Sequence, residues 1–150
     1  MPNRAIVAIF ANETSAFEAA NAIRDLNDSP ADFSAKAGVM IQKDDRGNLS
    51  FPERHERPLW GTLSGTVIGG LVGALAGPAG SVLGAALGAT TGLIGDTVTD
   101  DIGQDFVTLV ATDLYPGEAA LIFEANEEST RYVDDIVRDT GGRIHRGDLG

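Results

Sequence analysis

Cysteine is absent from the 150 residues. That removes disulfides, thiolate nucleophiles and thiolate metal ligands, and mildly favours a cytosolic setting. Only two histidines occur, His55 and His145, and neither has a partner at metal-ligand spacing. Basic residues are scarce: 11 Lys and Arg stand against 22 Asp and Glu, a formal net charge of -11. Phosphate backbones and anionic headgroups repel such a surface, so nucleic-acid partners and purely electrostatic docking on lipid are disfavoured. The chain contains no GxxxxGK[ST] loop and no GxGxxG after a strand, and Ser15, Ser29, Ser34 and Ser50 sit in no nucleophile elbow. The N-terminal stretch carries Glu13 and Glu18 and no long apolar run, and does not read as a signal peptide. No residue is therefore assigned to catalysis, cofactor binding or a metal. No small-molecule substrate is implied, and the chain is expected to be non-enzymatic.

One absence is regional. Between Leu59 and Gly95 there is no Asp, Glu, Lys, Arg or His, although charged residues make up 22% of the whole. The same stretch holds 11 of the 19 glycines. Gly61, Gly65, Gly69, Gly73 and Gly77 step by four, and Gly80, Gly84, Gly88 and Gly92 do the same beyond Pro78. On a helix that spacing draws a slowly winding smooth stripe. Leu59, Leu63, Val67, Leu71 and Leu75 fall on the opposite side of the first arm. The pattern predicts a helical hairpin with its turn at Pro78. Glycine costs a helix about 1 kcal/mol per residue relative to alanine, so close helix contact along the stripe must compensate. A helix without a polar face needs cover on all sides. Lipid, sister subunits or the rest of one subunit are the three sources of that cover. Each arm has about the length of a bilayer core. Arg54, His55 and Arg57 before the hairpin fit a cytoplasmic flank, while Thr62, Ser64, Thr66, Thr90 and Thr91 soften the apolar character. Trp60 stands either at a membrane interface or as a packing anchor at the hairpin base.

The flanks read as α/β. Ala5 to Ala11 is a buried strand, Asn12 an N-cap, and Glu13 to Leu26 a helix with Ala16, Phe17, Ala20, Ile23 and Leu26 at helical spacing. Asn27 to Pro30 stops it. A strand over Phe33 to Gln42 and a turn at Asp44 to Asn48 lead to a short strand at Leu49 to Phe51. Beyond the hairpin, Asp96, Asp100, Asp101 and Asp105 form a solvated helix end without the ligand pattern of a calcium loop. Phe106 to Leu114 then reads as a helix, and Ala119 to Ala125 as a strand. Asn126 is expected to cap a helix over Glu127 to Thr140, ended by Gly141-Gly142, and Arg143 to Asp148 is a last strand. His145, alternating with Ile144, is read as a surface residue. Ala11-Asn12-Glu13 and Ile23-Arg24-Asp25 return as Ala125-Asn126-Glu127 and Val137-Arg138-Asp139 at one common offset. Two strand-helix-strand units give an α+β fold, a ferredoxin-like βαβ–βαβ sandwich. Residues 1–57 and 100–150 form its halves, and residues 58–99 are the inserted glycine-zipper helical hairpin.

The opening segment IFANETSAFEAANAI, the glycine-rich stretch from Trp60 to Gly95 and the segment FVTLVATDLYPGEAALIFEA together resemble the domain-of-unknown-function 1269 family of small bacterial proteins. The run from Leu114 to Leu121 looks most like a signature. The resemblance implies membrane association and a stress-related role, and implies no reaction. The expected protein is a membrane-anchored, self-associating structural protein with its α/β domain cytoplasmic. The alternative is a soluble homo-oligomer or shell-like assembly whose hairpins bury one another.

Overall fold

The computed structural model describes residues 3–29, 32–46, 48–50, 60–61 and 104–148. Within them the chain is α+β: an antiparallel sheet with three helices. The strands are β1 (Asn3–Phe10), β2 (Phe33–Lys43), β3 (Leu49–Ser50), β4 (Trp60–Gly61), β5 (Ala119–Glu127) and β6 (Arg143–Asp148). The helices are α1 (Glu13–Asn27), α2 (Gln104–Asp113) and α3 (Arg131–Asp139). The sheet order is β3-β2-β5-β1-β6, with β4 also paired to β2.

The long strands are where the β-formers are. β1 and β5 pair from Asn3 against Asn126 to Phe10 against Ala119, and β5 pairs β2 on its other side. A register shift between Ala35 and Ala37 leaves Lys36 as an extra residue in β2. A single inserted residue reverses the in/out alternation. Phe33 and Ala35 before it and Met40 after it accordingly share one core.

That core lies on the first face of the sheet. Ile6, Ala8, Phe10, Leu121, Phe123 and Met40 pack there against Ala16, Ala19, Ala20 and Ile23 of α1 and Val133 and Val137 of α3. α1 starts as expected: Asn12 is extended, and its side-chain oxygen accepts from the Ser15 N–H at 2.9 Å. At its other end Asn27 accepts from the Ala35 N–H at 2.8 Å, tying the helix to β2. The opposite residues of the same strands, Val7, Ile9, Val39, Ile41, Ala120 and Ile122, are also fully buried but belong to a second face. α2 lies over its β6 side, burying Phe106, Val110 and Leu114.

Three expectations change. Asn126 does not cap a helix: it and Glu127 continue β5, because β2 still offers partners to both and β1 one to Asn126. α3 starts only at Arg131, after Thr130, which makes no side-chain cap bond. The repeated Ala-Asn-Glu triplets therefore occupy different structures, a helix start in one copy and a strand end in the other. Trp60 and Gly61, read as the start of the first hairpin arm, lie instead in β4, opposite Gly38 and Ala37 of β2. A free β2 edge supplies backbone partners that a glycine-containing first helical turn lacks. The end of α3 follows expectation. Gly142 N–H donates to Val137 O at 2.8 Å and Gly141 N–H to Arg138 O at 3.0 Å, with Gly141 at φ 78. This is a Schellman termination, which a left-handed glycine makes without strain.

Candidate functional site

The turn Tyr115-Pro116-Gly117-Glu118 joins α2 to β5, and its own backbone draws polar groups together. Gly117 has φ 88, a conformation that glycine enters freely. Glu118 N–H donates to Tyr115 O at 3.1 Å, and the Glu118 carboxylate accepts from Tyr115 N–H at 2.8 Å. The end of β2 holds the same turn: Gly117 N–H donates to Lys43 O at 2.7 Å, and Lys43 Nζ donates to Leu114 O at 2.9 Å.

β6 supplies the cations. Its alternation sends Arg143 and His145 to the second face, beside the last turn of α2. Arg143 makes a bidentate pair with Glu118 at 2.8 and 3.0 Å and reaches Asp113 Oδ2 at 2.9 Å and Asp113 O at 2.7 Å. His145 Nε2 lies 2.7 Å from the same Asp113 oxygen. The Tyr115 ring sits under the guanidinium, 5.9 Å from centroid to Cζ, at the outer limit of a cation–π contact. Burial pushes the Asp113 carboxyl up, but hydrogen bonds from His145 and Arg143 outweigh it, and the group lies below the ordinary aspartate range. Hydrogen bonding to Arg143 holds Glu118 below its usual range as well, against the effect of burial. The same pairing with Glu118, then Asp113, raises Arg143 further.

A second cluster occupies the first face. Arg146 pairs bidentately with Glu127 at 2.9 and 3.0 Å and donates to Asp134 of α3 and to Thr130 O. Arg4 adds a longer contact to Glu127 at 3.5 Å and one to Asp148 at 3.1 Å. Burial opposes the charge on Arg146, yet bonds to Glu127 and Asp134 leave it raised.

Both clusters are closed ion networks that join elements. Among the described residues no group of three or more His, Asp or Glu is arranged to hold a metal ion. His145 is half-buried rather than fully exposed: its side chain is 16% exposed, and its partner Asp113 comes from a different element. Sequence reasoning also passed over Asp113, Glu118 and Arg143. Glu118 lay within the signature run, and the two-residue step from Arg143 to His145 was the one available signal of a shared face.

Gly65, Gly69, Gly73, Gly77, Gly80, Gly84, Gly88 and Gly92 lie outside the described residues, and Trp60 and Gly61 are in β4. No helix among the described residues is long and apolar enough to cross a membrane.

A family model described as "Protein of unknown function (DUF1269)" matches residues 59–150, more than half of the chain. No curated protein and no solved structure matches.

Proposed function

The chain belongs to the DUF1269 family, and from that premise we propose that it is a non-enzymatic, self-associating structural protein anchored in a membrane by a glycine-zipper hairpin within residues 59–95. The reading is carried by one observation: that stretch has no charged residue and places glycines at every fourth position through two arms. Such a segment has no face for water. The small-residue stripe suits backbone-to-backbone contact, and each arm matches a bilayer core in length. In this proposal the α/β body is a ferredoxin-like sandwich on the cytoplasmic side, and the role is stress-related. The strand order β2-β5-β1-β6, with α1 and α3 on one face, supports that part.

A second reading rests on the hydroxyls in the same stretch. Thr62, Ser64, Thr66, Thr90 and Thr91 lower its insertion energy and favour a soluble homo-oligomer or shell-like assembly whose hairpins cover one another. Fractionation of cells with a carbonate wash, followed by sizing without detergent, separates the two. Membrane anchoring predicts retention in the pellet through the wash. Recovery of a discrete particle in detergent-free buffer overturns it in favour of the soluble assembly.

A further inference from the structure

We propose that α2 is a strap: it leaves and re-joins the second face of the sheet as a unit while the first-face core stays folded, and the Arg143 cluster is the clasp that holds it down.

Four observations meet in this element. Phe106 and Val110 of α2, and Leu114 just after it, are buried, yet none belongs to the core formed by α1, α3 and the first face. The apolar contacts of α2 are thus made on the second face, apart from the first-face core. Next, among its described side chains, the polar anchorage lies at the C-terminal end. Asp113 carries both Arg143 and His145, Arg143 also takes Asp113 O, and Leu114 O accepts from Lys43. The clasp is also partly solvated: the Arg143 side chain is 42% exposed, whereas Glu127, the centre of the other cluster, is fully buried. Finally, the helix runs directly into the Tyr115–Glu118 turn, where Gly117 takes its left-handed conformation with nothing near the position a Cβ would occupy. That turn is itself tied to β2 through Lys43 and to β6 through Glu118 and Arg143.

Elements with few apolar contacts to the main core and exposed polar anchors open at a lower free energy than the core itself. For α2 the consequence is specific. The helix is detachable without loss of β1, β2, β5, α1 or α3. This inference does not depend on the membrane reading, because it concerns only elements of the α/β body.

Native-state hydrogen exchange on the full chain, followed as a function of urea, tests it. The amides of α2 should exchange faster than those of α1 and β1, through an opening that depends little on urea. The amides of α1 and β1 should show the full urea dependence of global unfolding. Val137→Ala weakens only the first-face core. It should accelerate exchange in α1 and leave α2 unchanged, because it affects the closed and strap-open forms equally. Arg143→Gln should accelerate α2 about fivefold, the size expected when a partly exposed charge cluster is lost. The proposal fails if α2 shares the opening energy and urea slope of α1. It also fails if Val137→Ala moves both helices together, or if Arg143→Gln leaves α2 exchange where it was. The wild-type comparison stands alone if either variant does not fold.

Discussion

Arg143 and Arg146 are three residues apart on one strand, and an odd step along a strand sends them to opposite faces. Each makes a bidentate pair with a glutamate and a further contact to an aspartate. Their surroundings differ. Arg146 is 17% exposed and its partner Glu127 fully buried, under α3 at the margin of the main core. Arg143 is 42% exposed and faces α2, which contributes nothing to that core. Similar chemistry should therefore have unequal weight. A buried charge that loses its partner cannot turn to water, whereas a half-exposed one can.

The largest effect should come from breaking the buried cluster. Glu127→Ala leaves Arg146 only Asp134 and Thr130 O, and Arg4 only Asp148, and should cost about 3 kcal/mol in denaturant unfolding, the low end for a broken buried pair. Arg143→Gln should cost roughly 1 kcal/mol or less, in the range of exposed pairs. Equal losses for the two variants would erase the distinction between the faces.

A smaller effect is expected at the turn that delivers β6 to both clusters. A Cβ on Gly142 would stand 2.5 Å from the Phe10 ring and 3.0 Å from Ile9 O. Phe10 is fully buried in the first-face core and has nowhere to retreat. Gly142→Ala should destabilise by about 1–3 kcal/mol through overpacking. A thermal midpoint unchanged from wild type would show that the ring yields, and that the first face is less rigid than its burial implies.

The smallest effect concerns pH on the second face. Asp113 and Glu118 are held below their ordinary ranges by Arg143 and, for Asp113, His145. A carboxylate with a lowered folded-state pKa contributes stability above its unfolded value and loses it as pH falls through the folded value. The stability difference between wild type and Arg143→Gln should accordingly hold from neutral pH down to about pH 4 and shrink below that. A difference that stays flat deep into acid would show that these two carboxylates are not what Arg143 secures.

Much of the first face was legible from local pattern. The apolar run at Ala5 to Ala11 is a strand as far as Phe10, that at Ala119 to Ala125 is a strand, Asn12 caps α1, and Gly141-Gly142 closes α3. These signals are local: a side chain that meets its own backbone, or a period that matches a strand or helix. Glu127 shows where such reading stops. An acidic residue after Asn126 looks like a first helical turn, and nothing nearby in sequence announces Arg146 and Arg4 across the sheet. The same holds for His145, whose partner Asp113 lies on an element far away in sequence.

The sequence by itself determined the α+β class, most element positions, the uncharged glycine-patterned stretch and the resemblance that the family match bears out. Each follows from composition or from contacts within a few residues. Only the tertiary structure decided that β5 runs on through Glu127, that Trp60 and Gly61 pair with β2, and that two arginine clusters form on opposite faces. Those outcomes depend on which strand edges and which opposite charges the fold brings within hydrogen-bonding distance. That proximity belongs to the assembled sheet and is written in no local stretch of the chain.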